Sequence, residues 1–193
     1  MRSVSSRGAP EPMHLARSRT WRRIIRSTLA VAAPAALLLA TSVARADSAA
    51  VDANTGLNLG IGPVVLVPTE DGGDWGGGLD LDLRYGIEAG PTILAPGVRG
   101  AGYFQSEAFI GIGMPTFRVT LPVGPLAPYV LGGVGYGGIT GDAGESGVAL
   151  MGGGGLMIHF GHVLGIGAEA TYQAIVGTEF HGLAVGPSIL IGL

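Results

Sequence analysis

The 193-residue chain contains no cysteine and no lysine. Without cysteine it has neither a disulfide framework nor a thiolate metal site, although small exported domains usually rely on disulfides. Eight of its 11 arginines lie in the first 46 residues. The other 147 residues hold three arginines and 13 acids, a formal net charge of −10. Nucleic-acid binding, which requires clustered Lys and Arg, is therefore excluded.

Residues 1–46 differ from the rest of the chain. An arginine-rich start is followed by the apolar run LAVAAPAALLLATSVA and by an A-R-A site at 44–46. This order predicts a secretory signal peptide that is cleaved before Asp47. The alternative is a membrane anchor, but the run is shorter than the roughly 20 apolar residues of a spanning helix and contains Pro34. Met13 is an alternative start within this segment.

The mature segment 47–193 is rich in glycine, with 35 of the 36 glycines of the chain. That is about three times the usual share of about 7%. There is no G-X-Y period, which excludes collagen, and interleaved Val, Ile, Leu and aromatic residues disfavour disorder. Glycine at this density within apolar segments is typical of a tightly curved sheet.

The stretch GGGLDLDLRYG, residues 76–86, shows strict alternation of apolar and charged side chains. As a strand it has two faces, with Leu79, Leu81, Leu83 and Tyr85 on one and Asp80, Asp82 and Arg84 on the other. A soluble sheet would turn the charges to water, whereas a membrane barrel would turn the leucines to lipid and enclose the charges.

Alternation of this kind recurs along the mature segment, and no segment shows a convincing helical period. Eight strands are predicted, over about 57–67, 75–87, 92–103, 109–121, 128–139, 148–160, 164–173 and 183–193. Each has the ~9–11 residues that a tilted strand needs to cross a bilayer. Pro63 and Pro187 fall in the two strands that would close a barrel, and each removes a ladder hydrogen bond. We therefore expect a bulge or a local opening there.

Alternation along these strands places all three arginines of the mature segment and three of its acids on one face, opposite the large apolar residues. The predicted interior charge network consists of Asp80, Asp82, Arg84, Arg99, Arg118 and Glu169. Its charges sum to zero, as a narrow barrel requires, because unpaired buried charge is very costly. A soluble sandwich would need no such balance and would carry lysine on its surface. The balance favours a membrane barrel.

The links between strands and the aromatic residues add to this pattern. The odd-numbered links, 68–74, 105–108, 139–146 and 176–182, carry seven acids; the even-numbered links, at 87–91, 122–127 and 161–163, carry only Glu88. Odd links share one end of an up-and-down barrel, so one end is predicted to be acidic. Aromatic residues near strand ends predict interfacial girdles, with apolar packing beside turns as the alternative: Trp75, Tyr85, Tyr103, Phe104, Phe109, Tyr129, Phe160 and Phe180.

The segments PYVLGGVGYG (128–137) and LGIGAEATYQ (164–173) resemble parts of small bacterial outer-membrane β-barrel proteins. The resemblance implies the eight-stranded transmembrane barrel of OmpA-like proteins, and insertion into the Gram-negative outer membrane by the barrel-assembly machinery, in contact with lipopolysaccharide. Some barrels of this type are lipid A hydrolases with a His-x-Ser pair. Neither His159, which is followed by Phe-Gly, nor His181, which is followed by Gly-Leu, matches that pair.

The sequence thus predicts a signal peptide (1–46) followed by an all-β, eight-stranded antiparallel barrel domain (47–193). We expect a structural or surface-interaction role with a filled or very narrow lumen, and no catalysis, cofactor or metal. Two alternatives stay open: a soluble periplasmic or extracellular barrel that binds a small apolar ligand, and a narrow outer-membrane channel. Divalent cations at the acidic loops, bridging to lipid head groups, are a further hypothesis.

Overall fold

The chain forms a closed barrel in a computed structural model that describes residues 48–69, 74–105, 108–141 and 144–193. The elements are α1 (Ser48–Asn54), β1 (Gly56–Pro68), β2 (Gly76–Ala89), β3 (Thr92–Gln105), β4 (Ala108–Thr120), β5 (Leu126–Thr140), β6 (Glu145–Phe160), β7 (Leu164–Ile175) and β8 (His181–Gly192). Each strand pairs antiparallel with the next, and β1 pairs with β8. The predicted up-and-down barrel is confirmed. The predicted signal peptide lies outside the described residues.

The strand bounds lie within three residues of those predicted from alternation. The odd-numbered connections are 69–75, 106–107, 141–144 and 176–180, and the even-numbered ones are 90–91, 121–125 and 161–163. We call the rim that carries the odd-numbered connections the odd end, and the rim that carries the even-numbered connections the even end. Because strand pairing extends into several predicted links, the two ends differ little in connection length. No helix within the described part of the chain is long and apolar enough to cross a bilayer.

The helix α1 was not predicted, and it lies against the even end of the barrel. Its Ala50 and Ala53 side chains are fully buried, and the Asn54 amide donates to the ring of His159 at the end of β6, with 2.8 Å between Nδ2 and Nε2. Gly56 follows with a φ of 73°, the left-handed conformation in which helices commonly end. In the sequence, the features that could have predicted this helix are Ala50 and Ala53, which are spaced to share one helix face, and the glycine that follows them.

Inside the barrel, large and small residues complement one another. Long interior side chains and inward-facing glycines occur along most strands, and β4 alone has no glycine at its inward positions. A Cβ at Gly60 would lie 2.7 Å from Nη2 of Arg84, and a Cβ at Gly155 would lie 2.6 Å from Cζ of Tyr129. These glycines therefore provide the space that the arginine and tyrosine side chains fill.

The outer face carries the large apolar side chains, including Leu79, Leu81, Leu83 and most of the predicted girdle residues. Trp75, Phe104 and Phe160 are among those exposed. Tyr103, Tyr129 and Phe180 are buried inside instead, so the prediction that they belong to a girdle is wrong. Their positions near strand ends did not reveal which face they occupy, whereas the alternation that places Arg99 inward also places Tyr103 inward on the same strand.

The ladder that closes the barrel between β1 and β8 is interrupted. It pairs Ile61 with Ile189 and resumes where Val65 pairs with Val185. The unchanged register places Pro63 opposite Pro187 within the gap. Neither proline has an N–H to donate, so the interruption of the ladder follows from their direct apposition. We call this gap the proline seam.

Candidate functional site

All six residues of the predicted charge network point into the barrel, and none is more than 9% exposed. Asp80, Asp82 and Arg84 follow one another at alternate positions of β2. Arg99 lies on β3, Arg118 on β4 and Glu169 on β7, so the network draws on four strands. The period of two within each strand is the reason these side chains share the inner face.

The central contact joins Arg99 to Glu169 across the lumen. Nη2 of Arg99 donates to Oε1 of Glu169 at 2.5 Å, and Nε of the same guanidinium donates to Oδ2 of Asp80 at 2.5 Å. In the closed strand order, β3 and β7 are four strands apart, on opposite sides of the barrel. One guanidinium therefore bridges the full width of the interior.

Glu169 is the acceptor on which three strands converge. Besides Arg99, Nη2 of Arg118 donates to its Oε2 at 3.1 Å, and the Tyr129 hydroxyl donates to the same oxygen at 2.8 Å. The Arg118 guanidinium also lies over the Tyr129 ring, 3.7 Å from its centroid, in cation–π geometry. Each charge here has an opposite charge within contact, the condition under which buried ions are tolerated.

Arg84 and Asp82 form a separate and less complete pair. Nε of Arg84 lies 2.9 Å from Oδ1 of Asp82, without the alignment that a hydrogen bond requires. Both side chains are buried. The network thus consists of a well-bonded part around Glu169 and a looser part on β2.

Two tyrosines extend the interior polar contacts beyond the six charges. The Tyr129 hydroxyl bonds Glu169, and the Tyr103 hydroxyl donates to Oε1 of Gln173 at 2.9 Å. The amide of Gln173 in turn donates to Thr171 at 3.2 Å. Alternation in the sequence could have predicted that Tyr129 and Gln173 point inward. Tyr129 precedes Val130, which points outward, and Gln173 follows Tyr172, which also points outward.

Little space is left inside. A cavity of about 20 Å³ lies between the charge network and the proline seam, lined by all six network residues and by Gly62, Gly186 and Ser188 among others. That volume holds about one water molecule. The lumen is therefore filled by side chains at the level of the network.

Among the described histidines, His159 and His162 lie at the even end of the barrel, and His181 begins β8 at the odd end. His159 accepts from Asn54, and Nδ1 of His162 lies 2.9 Å from Asp52 at the exposed surface. Within the described residues, no group of three His, Asp or Glu side chains is placed to hold a metal. Four of the acids in the odd-numbered connections lie outside those residues, so the divalent-cation hypothesis stays a prediction.

No family model matches the chain, and neither does any curated protein sequence. Solved structures do match. Neisserial surface protein A is 10% identical, covers 72% of this chain and 98% of its own, and has a TM-score of 0.56. The N-terminal β-barrel domain of Pseudomonas aeruginosa OprF is 14% identical, with coverage of 71% and 97% and a TM-score of 0.51. The outer-membrane enzyme PagL is 12% identical, with coverage of 71% and 99% and a TM-score of 0.48.

Surface protein A and OprF establish the fold of this chain as that of the small eight-stranded barrels of bacterial outer membranes. The resemblance that the sequence indicated is thereby confirmed at the level of the fold.

Proposed function

We propose that this chain is an exported outer-membrane protein with a structural or surface-interaction role. Its leader, residues 1–46, is removed before Asp47, and the barrel-assembly machinery inserts the barrel into a bilayer that contains lipopolysaccharide. The odd end faces outward and the even end, with α1, faces the periplasm.

The membrane location is supported by the distribution of polarity across the wall. The outer face presents Leu81, Val98, Phe117, Val130 and Ile166, each more than 40% exposed, while the charges are enclosed. Exposed apolar area on this scale would aggregate in water, and monomeric soluble proteins rarely carry it. The strands have 12 to 16 residues, more than the ~9–11 needed to span a bilayer.

The observation that carries the functional proposal is the contact of Arg99 with Glu169 across the lumen. Together with the cavity of about 20 Å³, it supports a barrel too full for a diffusion pore and too full for a drug-sized apolar ligand, which needs ~300–1,000 Å³. Interaction is then left to the outer face and the connections. A narrow channel would require this contact to break.

Catalysis is not part of the proposal. Fold alone does not decide it, because one fold hosts many functions. The basis is chemical: no histidine of the mature segment stands in a His-x-Ser pair. A mass change of lipid A on expression of the protein would contradict this part of the proposal.

Fractionation tests the location. We expect the mature protein in the outer-membrane fraction, resistant to carbonate extraction, with a mobility on SDS gels that shifts only after boiling. Mass spectrometry of the purified protein should give an N-terminus at Asp47. Recovery in the soluble periplasmic fraction without detergent would contradict the proposal and support the soluble ligand-binding barrel.

Planar-bilayer recording tests the filled lumen. We expect no steady conductance from the purified barrel, because Arg99 and Glu169 close it. Steady single-channel currents from wild-type protein would support the narrow-channel alternative instead.

A further inference from the structure

The outer face of the barrel has a gap in its layer of large side chains. Two successive outward positions of β3 are the glycines Gly100 and Gly102. Their partners on β4 are glycines as well, because Gly100 pairs with Gly113 and Gly102 pairs with Gly111. Four neighbouring outward positions therefore carry no side chain, and the backbone of the wall is exposed there.

This gap is the floor of a hollow in the outer face. The hollow has a volume of about 710 Å³, within the ~300–1,000 Å³ of pockets that hold drug-sized ligands. Gly100, Gly102 and Gly111 belong to its floor. Leu79 and Leu81 of β2, which pair with Gly102 and Gly100, flank it on one side. The hollow is thus a shallow groove between large side chains and not a flat part of the wall.

Two aromatic rings border the hollow toward the odd end. The ring centroids of Phe104 and Phe109 are 5.1 Å apart, and a Cβ at Gly102 would lie 3.0 Å from Cζ of Phe109. Exposed Trp75 lies at the same end, and aromatic residues at the ends of such barrels lie at the level of the lipid head groups. Leu81 is six residues beyond Trp75, ~20 Å along the strand, so the hollow extends to the depth of the hydrocarbon chains.

The lining of the hollow favours a hydrocarbon chain as its ligand. All lining residues are glycine, alanine, leucine, isoleucine or phenylalanine, so among the described residues no polar side chain is available to bond a ligand. A floor without Cβ atoms lets an unbranched chain lie directly on the backbone. We propose that this hollow binds one acyl chain of lipid A, whose head group lies beyond Phe104 and Phe109 at the odd end. The inference rests on the proposed function, which places the odd end in the outer leaflet, where lipopolysaccharide resides.

A second copy of the barrel fits the hollow less well than an acyl chain. Two copies inserted in the same direction are related by an axis along the membrane normal, and an isologous contact joins the same patch of both copies. The hollow of one copy would then face the hollow of the other and enclose a void, whereas protein contacts are close-packed. An acyl chain enters from the surrounding bilayer and adapts its shape to the groove.

Native mass spectrometry of the protein purified in mild detergent, with hexa-acylated lipid A added, tests the site. We expect one lipid A per wild-type chain. Gly100→Leu fills the floor at a position where a Cβ would meet no described atom within 4 Å, and it should weaken binding at least tenfold. Gly152→Leu is the matched control and should bind as wild type does. Gly152 is also an outward glycine with an open Cβ position, and both glycines pair with a glycine on one neighbouring strand and a large side chain on the other.

A second variant keeps the test valid if Gly100→Leu fails to fold. Gly77 also lines the hollow, and a Cβ there would meet no described atom within 4 Å, so Gly77→Leu should weaken binding as well. Equal lipid A binding by wild type and the hollow variants would overturn the proposal. A wild-type dimer in place of the lipid adduct would overturn it in favour of a second copy.

Cysteine labelling separates this inference from the proposed function. The chain has no cysteine, so Gly141→Cys in an odd-numbered connection should be the only site that reacts with a membrane-impermeant maleimide on intact cells. Labelling together with equal lipid A binding by all variants would overturn the acyl-chain site alone. Absence of labelling would contradict the proposed orientation, and with it lipid A as the source of the chain, even where the hollow variants lose binding in detergent.

Discussion

Pro63 and Pro187 lie directly opposite each other in the ladder that closes the barrel, and the ladder is interrupted there. Pro63 follows Gly62, and Pro187 follows Gly186. A Cβ at either glycine would clash with the carbonyl oxygen of the proline on the opposite strand. The two strands therefore approach closely without the hydrogen bonds that normally join them. The seam lacks three successive pairs, whereas the β2–β3 and β4–β5 ladders are each interrupted over two. Lost backbone hydrogen bonds matter most where no water can replace them.

Restoring the two donors should strengthen the seam. Substitution of both Pro63 and Pro187 by Val is expected to raise the free energy of unfolding by ~1–2 kcal/mol, since two ladder hydrogen bonds gain about 0.5–1.5 kcal/mol each and some unfolded-state restriction is lost. Urea unfolding, followed by fluorescence of Trp75, the one tryptophan of the mature segment, measures it. Pro128→Val is the control, because the ladder continues through Pro128. Equal gains in both variants would argue against a seam effect.

Removing the carboxylate at the centre of the network should be strongly destabilising. Glu169→Gln leaves Arg99 and Arg118 with one buried positive charge in excess, and we expect a loss of about 3–5 kcal/mol in unfolding free energy. Adding Arg118→Gln restores neutrality and should recover part of that loss. Exposed Glu88→Gln should change stability by less than ~0.5 kcal/mol. A single variant as stable as wild type would mean that Glu169 is not held as an ion.

A charged side chain placed in the middle of the outer face should impair membrane insertion. Leu81→Arg on the predicted lipid-facing side should reduce membrane insertion by ~2–4 kcal/mol if residue 81 lies at the midplane. Glu88→Arg, at the end of the same strand and off its outer face, is the control for an added arginine and should insert normally. The yield of heat-modifiable protein in vesicles provides the measurement. Normal insertion of Leu81→Arg would indicate that this face does not contact lipid.

The run Gly152–Gly155 contains one glycine whose Cβ position is crowded and one whose Cβ position is open, so alanine substitutions at the two can be compared. A Cβ at Gly155 would clash with the backbone carbonyl oxygen of Ala168 on β7 and would lie 2.5 Å from the Tyr129 hydroxyl. Gly155→Ala should therefore cost ~1–3 kcal/mol, because it strains the β6–β7 pairing and displaces the ring that bonds Glu169. A Cβ at Gly152 meets nothing within 4 Å, so Gly152→Ala should be neutral or slightly stabilising. Equilibrium unfolding in urea distinguishes them. Similar losses in both variants would show that strand flexibility, not the close contacts at Gly155, explains the glycines.

The contact of α1 with the even end should depend on Asn54. Asn54→Ala leaves the buried ring of His159 without its donor, which should cost ~1–3 kcal/mol and speed proteolysis within 48–54. Asp52→Asn weakens only the exposed contact with His162 and should leave the proteolysis rate unchanged. If Asn54→Ala digests at the wild-type rate, the buried amide does not hold the helix in place.

The sequence by itself determined the number of strands, their approximate bounds and the face on which each charge lies. Successive side chains of a strand point to opposite faces, and the two faces of a barrel wall meet different surroundings. The sequence of each strand alone therefore indicates which of its residues point inward. Leu81, Asp82 and Arg84 could be placed on their faces without reference to any other strand. The net charge of zero among the interior residues could also be read directly.

The tertiary structure decided which interior groups meet. Arg99 reaches Glu169 from 70 residues away, because closure places β3 opposite β7 and the stagger of the strands sets both at one height. The same closure brings Pro63 opposite Pro187 and makes room for Tyr129 beside Gly155. Strand alternation fixes the side on which a residue lies, but its height and its partner depend on the register of all eight strands together, and no single segment of the chain contains that information.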